Sequence, residues 1–309
     1  MHVILLGPQR LQPTLDRAVA DVDRLLGGRG MLAVVTAGWE EREVEIQELD
    51  QHVGGRALNL EVFGRVEDIF ARDPELLGAM RARHDTLREL HDLYRVRLAH
   101  ALAAVREVAE RASRPELRDP ALEAAIAAVR ALDVEHLAAV DRVHAEFEER
   151  FAPQERDAVR RHKREIAEIL ALCSMLCIAG GHVGVLLQRM RLFDVLGLHG
   201  DRPVIAWSAG AMVCAERVVL FHDRPPQGPG DAEVYDRGFG LVPGVVPLPH
   251  ARRRLALDDR QRVALFARRF APARGIALDE RTRVDFDGRR LTVHEGTRVL
   301  GVDGGVHAA

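Results

Sequence analysis

The chain has 309 residues, 47% of them hydrophobic and 29% charged, which is the composition of an ordinary soluble globular protein. Its 44 basic and 47 acidic residues leave a formal net charge of −3, so no strong field favours nucleic acid or an anionic membrane, and aromatics at 5% argue against base-stacking platforms. At roughly 100–200 residues per domain, the length admits one large domain or two ordinary ones.

No apolar run approaches the ~20 residues that span a bilayer. The start, "MHVILLGPQR", lacks a basic region and puts Gly7 and Pro8 directly after a short apolar run, so it reads as a strand and turn rather than a signal peptide. Three cysteines form no disulfide framework, and a cytoplasmic location is the expectation. Cys173 and Cys177 lack CxxC spacing and a second pair, so they read as buried inert thiols, with neither metal nor cofactor expected.

The first 70 or so residues alternate between short apolar strands and amphipathic helices. "HVILLG", "MLAVVTAG" and "ALNLEVFG" are strand candidates; "LQPTLDRAVADVDRLLG" and "WEEREVEIQELDQHVGG" are helix candidates closed by glycine. This alternation predicts an α/β fold, a mostly parallel sheet flanked by helices. From 73 to 165 the pattern turns helical. Leu87, Leu90, Tyr94, Leu98, Ala101, Val105, Val108 and Ala112 recur at spacings of three and four, "SRPELRDP" interrupts with two prolines, and a second long helical stretch follows. The reading is a discontinuous α/β domain, 1–72 and 166–309, carrying a helical insertion over 73–165. A solvated outer face, an active-site lid and a homodimer surface are the roles open to that insertion.

The α/β pattern resumes with "SMLCIAGG" as a strand, "VGVLLQRMRLFDVLGLHG" as a helix, and "RPVIAWSAGAMVCAERV" as strand, turn and helix. "YDRGFGLVPGVVPLPH" is a Gly- and Pro-rich loop with a short strand, "DRQRVALFARRFAPAR" a helix, and "GIALDE" a strand end. "TRVDFDGRRLTVHEGTRVLGVDGG" looks like a terminal antiparallel hairpin turning at Asp-Gly.

Ser208, in "IAWSAGAM", is where chemistry enters. A serine between an apolar strand and a helix, followed by small residues, has the setting of a nucleophile elbow, although the first glycine of G-x-S-x-G is absent. Plain strand-to-helix packing explains the same residues equally well. A nucleophile also needs a base and oxyanion donors. The Ala209 N–H lies at the helix start, and "AGGH" at 179–182 offers glycine backbone. Among 14 histidines, His250 is placed most suggestively, in a loop after a short apolar run, with His182, His199 and His222 as competitors.

These segments together resemble the peptidase E and cyanophycinase family of serine peptidases, which have the class I glutamine amidotransferase-like fold. "VTAG" at 35–38, "CIAGG", "IAWSAGAM", "GFGLVPGVVPLPH" and "GIALDE" at 275–280 follow the family's motif order. The resemblance implies Ser208 as nucleophile, His250 as base, Glu280 as the acid orienting it, and backbone oxyanion donors at Gly181 and Ala209. It implies a serine hydrolase cleaving a small peptide or amide, without cofactor or metal. The departures are Ala206-Trp207 where the family has Gly-Thr, and Arg252-Arg253-Arg254 where it has a polar-acidic turn. Trp207, His182 and Arg252 are therefore expected to shape the substrate pocket. The alternative is a non-catalytic member of the fold that binds a partner or its own copy through the insertion. A cysteine-dependent amidotransferase is excluded at the elbow, because position 208 is serine.

Overall fold

The computed structural model describes residues 1–223 and 230–308. In chain order, the first region holds β1 (Val3–Leu6), α1 (Leu15–Leu26), β2 (Met31–Val35), a 3₁₀ segment (Ala37–Arg42), α2 (Gln47–His52), β3 (Ala57–Asn59) and α3 (Val62–Arg72). Two 37-residue helices follow, α4 (Pro74–Glu110) and α5 (Pro115–Phe151), and then α6 (Asp157–Ala171). The chain continues with β4 (Cys173–Ile178), α7 (Val183–Leu192), α8 (Val195–His199), β5 (Val204–Trp207) and α9 (Ala209–Val213). The last part comprises β6 (Arg217–Leu220), β7 (Glu233–Arg237), β8 (Val245–Pro249), α10 (Ala251–Arg254), α11 (Arg260–Phe270), β9 (Arg274–Leu278), β10 (Arg283–Phe286), β11 (Leu291–Val293), β12 (Arg298–Leu300) and β13 (Val306–Ala308).

Among the described residues, the central sheet has seven strands in the order β11-β10-β1-β5-β4-β2-β3. The run from β1 to β3 is parallel, and β10 and β11 add an antiparallel edge. Its inner strands β1, β5, β4 and β2 are buried on both faces. Ile4, Leu6, Leu32, Val34, Met175, Cys177, Ile205 and Trp207 pack on α1 through Leu15, Val19 and Val22. The alternate residues Val3, Leu5, Ala33, Val35, Leu176, Ile178, Val204 and Ala206 belong to the other, larger core. Side chains that alternate across a strand account for this division, and double burial explains why these strands read as continuous apolar runs. A second sheet, β13-β12-β9-β8, pairs β8 parallel to β9, and β6 with β7 forms a ribbon. The fold is thus a mostly parallel sheet flanked by helices, with a long helical hairpin, α4–α5, projecting from it.

Several expected elements are divided. The helix expected over "WEEREVEIQELDQHVGG" is split, with Glu40 at φ 57° and α2 beginning only at Gln47. The cause is Glu43, which is buried and accepts the Phe63 and Gly64 N–H groups at 3.0 and 2.9 Å. A carboxylate there satisfies free donors at the start of α3 and complements the helix dipole. Burial raises the Glu43 pKa, and those two N–H donors oppose the rise. The same contact ends the expected strand "ALNLEVFG" at Asn59 and turns its remainder into α3. The helix expected after "AGGH" is broken at Asp194, which has φ 50°, where Gln154 donates to the Arg191 and Leu192 carbonyls at 3.2 and 2.7 Å. Of the two prolines in "SRPELRDP", Pro115 opens α5, where no N–H partner is needed, and Pro120 lies inside the helix without ending it. The terminal hairpin is β10–β11, with its turn at Asp287-Gly288, whereas β12 and β13 join the second sheet.

The α4–α5 hairpin is fastened to the α/β body by a buried polar cluster. Arg269 of α11 donates to both carboxylate oxygens of Asp133, at 2.8 and 2.6 Å. The Tyr94 hydroxyl donates to Asp133 at 2.7 Å, and accepts from Arg269 at 2.8 Å and from the Val234 N–H at 3.1 Å. His136 stacks on Tyr94 with ring centroids 4.1 Å apart, and its burial pushes its pKa down to about 4, keeping it uncharged at neutral pH. Asp133→Ala strands the Arg269 guanidinium in the core, and an unpaired buried charge costs about 3–5 kcal/mol. Urea unfolding is expected to show that loss. Glu135→Ala, at the exposed pair with Arg97, should leave the midpoint nearly unchanged.

Candidate active site

β2, β4 and β5 are neighbours in the sheet, so the segments after Val35, Ile178 and Trp207 meet at one edge. The carboxyl ends of parallel strands are where α/β sheets place ligands. At β5 the backbone does not enter α9 smoothly: Ser208 sits at φ 54°, ψ −122°. A non-glycine residue there stores about 1–3 kcal/mol of strain, which persists only where the surroundings impose it. Buried β5 on one side and buried α9 on the other impose it here.

Glycine makes the turn sterically possible. A Cβ on Gly210 would lie 2.2 Å from the Ile178 carbonyl oxygen, so the first turn of α9 packs directly on the end of β4. A Cβ on Gly180 would lie 2.7 Å from the Ser208 Cβ and 3.1 Å from its Oγ. The Gly180-Gly181 turn therefore faces the serine, and it is held by the His182 N–H donating to the Gly38 carbonyl at 2.7 Å. Gly38 is the last residue of "VTAG", and this bracing role of the β2 end was not legible in the sequence. The Gly181 and Ala209 N–H groups have no protein acceptor among the described residues, leaving both available to an external oxygen.

The second sheet delivers His250. β8 ends at Pro249, and His250 takes a left-handed conformation, φ 58°, with its N–H donating to the Leu278 carbonyl at 3.0 Å. Its Nε2 lies 3.4 Å from the Ser208 Oγ, and it is the one histidine within hydrogen-bond range of that serine among the described residues. Catalytic hydrogen bonds are often long without substrate and shorten when it binds. Burial lowers the His250 pKa, Arg254 and Arg253 lower it further, and Glu280 and Asp279 oppose them. The imidazole is thus neutral near pH 7 and able to accept a proton.

The other sequence-derived residues lie as follows. Glu280 is exposed and makes no hydrogen bond to His250 among the described residues. Its neighbour Asp279 is buried, accepts the Arg252 N–H at 3.0 Å and Arg298 at 2.9 Å, and so clamps the turn that carries His250. Trp207 does not line the cavity at Ser208: alternation along β5 points it into the core on the α1 face. His182 caps α7, its Nδ1 accepting the Val185 N–H at 3.2 Å. The Arg252 side chain is 68% exposed, with its Nε 3.7 Å from Asp279. The cavity is lined instead by Val183, Met212, Phe221, Glu233, Arg254 and, from the insertion, Arg95. No local motif marks Arg95, which sits in an ordinary helical stretch. His199 lies away from Ser208, bonding the Arg202 and Pro203 carbonyls. The three cysteines are buried and free, and burial pushes Cys177 and Cys214 up to about 12, so neither is a nucleophile at neutral pH.

Gly180→Ala drives a methyl group into Ser208. The expected outcome is a fall on the order of 100-fold in the rate at which a fluorophosphonate modifies the serine, since displacements of about 1 Å have that effect on reactivity. An unchanged rate would mean that the turn does not position Ser208.

The profile of Peptidase family S51 matches residues 126–294, more than half of the chain and a span that includes Ser208, His250 and Glu280. No curated protein matches the sequence. Among solved structures, a peptidase from an acI-B1 actinobacterium is 13% identical, with a TM-score of 0.48 and coverage of 100% of this chain and 96% of that one. A candidate peptidase E protein from Listeria monocytogenes EGD-e is 15% identical, with a TM-score of 0.32 and coverage of 42% of this chain and 64% of that one. On the span matched, with the serine turn and its histidine inside it, the chain belongs to peptidase family S51.

Proposed function

We propose that this peptidase is a serine hydrolase that cleaves a small peptide or amide through an acyl-enzyme on Ser208. The observation that carries the reading is the strained Ser208 turn with the His250 Nε2 at 3.4 Å from its hydroxyl. His250 takes the Ser208 proton as Oγ attacks the amide carbon. The carbonyl electron pair moves to oxygen, where the Gly181 and Ala209 N–H groups would meet the developing charge. The pair returns, the C–N bond breaks, and His250 gives its proton to the leaving amine. Water then repeats the sequence and releases the acid. Glu280 and Asp279 both favour the imidazolium formed on the way through their charge, and Asp279 also holds the turn that positions the ring. A volume of about 360 Å³ at Ser208 suits a short substrate.

Fluorophosphonate labelling tests the assignment. The wild type is expected to label and Ser208→Ala not to. His250→Ala should slow labelling by about 10²–10⁴-fold, the usual contribution of a general base. Equal labelling of wild type and Ser208→Ala would overturn the nucleophile.

The pH dependence follows from the lowered His250 pKa. A histidine so shifted stays neutral, and able to accept a proton, to a lower pH than usual. The labelling rate should therefore be flat near pH 7 and fall only as the pH drops below 6.5. Arg254→Ala removes a cation that opposes the imidazolium, so it should move the acid limb upward.

A further inference from the structure

One wall of the Ser208 cavity comes from outside the α/β core. Arg95 lies on α4, and Glu233, which it meets, begins β7. The two acids on this wall are already matched. Glu233 accepts from the Arg95 Nε at 3.0 Å and faces the His91 Nε2 at 2.8 Å. Asp231 is hydrogen-bonded to Arg106 and lies 3.7 Å from Arg262. The cations are in excess. Arg254 has no carboxylate partner among the described residues, and Arg95 uses only its Nε, leaving both terminal nitrogens without a protein acceptor among those residues. The free edge of a guanidinium presents two parallel N–H donors that match a carboxylate.

Arg95 also has a fixed mount. His91 and Arg95, four apart, share one face of α4 and hold the same carboxylate. The His91 ring meets Tyr235 edge-on at 5.9 Å, and the Tyr94 hydroxyl accepts the Val234 N–H at 3.1 Å. α4 is therefore bound to three successive residues of β7. A Cβ on Gly184 would lie 2.7 Å from the Tyr235 hydroxyl, so the same ring that meets His91 also lies against the start of α7, next to the Gly180-Gly181 turn.

We propose that the helical hairpin is part of the active site and that Arg95 anchors a carboxylate of the substrate, a role that rests on Ser208 being the nucleophile of this cavity. The carboxylate can come from the C-terminus of a short peptide or from an acidic side chain.

The test measures binding in a protein that cannot turn over. Ser208→Ala is titrated calorimetrically with Xaa-Ala dipeptides and their C-terminal amides, and with Asp/Asn and Glu/Gln pairs at Xaa. The expected result is that the acid of one kind of pair binds at least about tenfold more tightly than its neutral counterpart, as a charge-assisted hydrogen bond implies. That preference should shrink to about twofold or less when Arg95→Gln is added and return only in part with Arg95→Lys, which keeps the charge but not the two parallel donors. Which pairs respond identifies the source of the carboxylate. A preference untouched by Arg95→Gln, or no preference at all, overturns the proposal and leaves Arg95 as a surface partner of Glu233. The readout needs no nucleophile, so it separates from fluorophosphonate labelling of the wild type, which tests Ser208 alone.

Discussion

The site depends on one backbone constraint, the positive φ at Ser208. β5 is locked between β1 and β4 and buried on both faces, so its end cannot drift. α9 is packed close enough to β4 that position 210 has no room for a side chain. The chain must turn within one residue between these two fixed bodies, and that residue takes the strain. The serine side chain is thereby held against the Gly180 turn and towards His250. A relaxed turn would let α9 move away from β4 and release the hydroxyl from its partner. The strain is thus the local cost of a geometry that the double-sided core maintains.

His250 is brought in by a separate piece of the fold. β8 and β9 pair in the second sheet, and Asp279 at the end of β9 fastens the turn after His250. The sheet that presents His250 is therefore not the sheet that presents Ser208, and their packing sets the separation of the two groups. Arg254, on the same turn as His250, bears on the imidazole charge and on the cavity wall together. The charge on the imidazole and the charge of the cavity wall are therefore both set from that one short helix.

The insertion is tied down by charge as well as by apolar packing. Asp133, Arg269 and Tyr94 satisfy one another in a dry environment, where a missing partner is far more costly than the intact set is favourable. Such a cluster specifies one docking of α4–α5 on α11 and β7. Arg95 reaches the Ser208 cavity in that docking, through the stretch of α4 that meets β7.

The parallel sheet, the helical character of 73–165 and the serine turn were legible from local pattern, because each depends on residues close in the chain. Apolar runs mark strands buried on both faces, and small residues after Ser208 mark the tight entry to α9. The divided helix before α2, the early end of β3 and the start of α3 were not legible. They follow from Glu43 reaching the backbone of residues 63 and 64, some twenty positions away. Trp207 was expected at the pocket by adjacency to Ser208, but strand alternation sends it to the opposite face. Asp279 rather than Glu280 holds the histidine turn because burial, not position in "GIALDE", decides which acid has donors within reach. The sequence by itself determined the α/β framework and the strand, turn and helix around Ser208, since period and turn chemistry are local properties, whereas a chemical role for Ser208 rested on the order of motifs along the whole chain. Tertiary structure decided which histidine meets Ser208, which acid supports it, and that a helix more than a hundred residues upstream lines the cavity, since those contacts form only when separate sheets and helices pack.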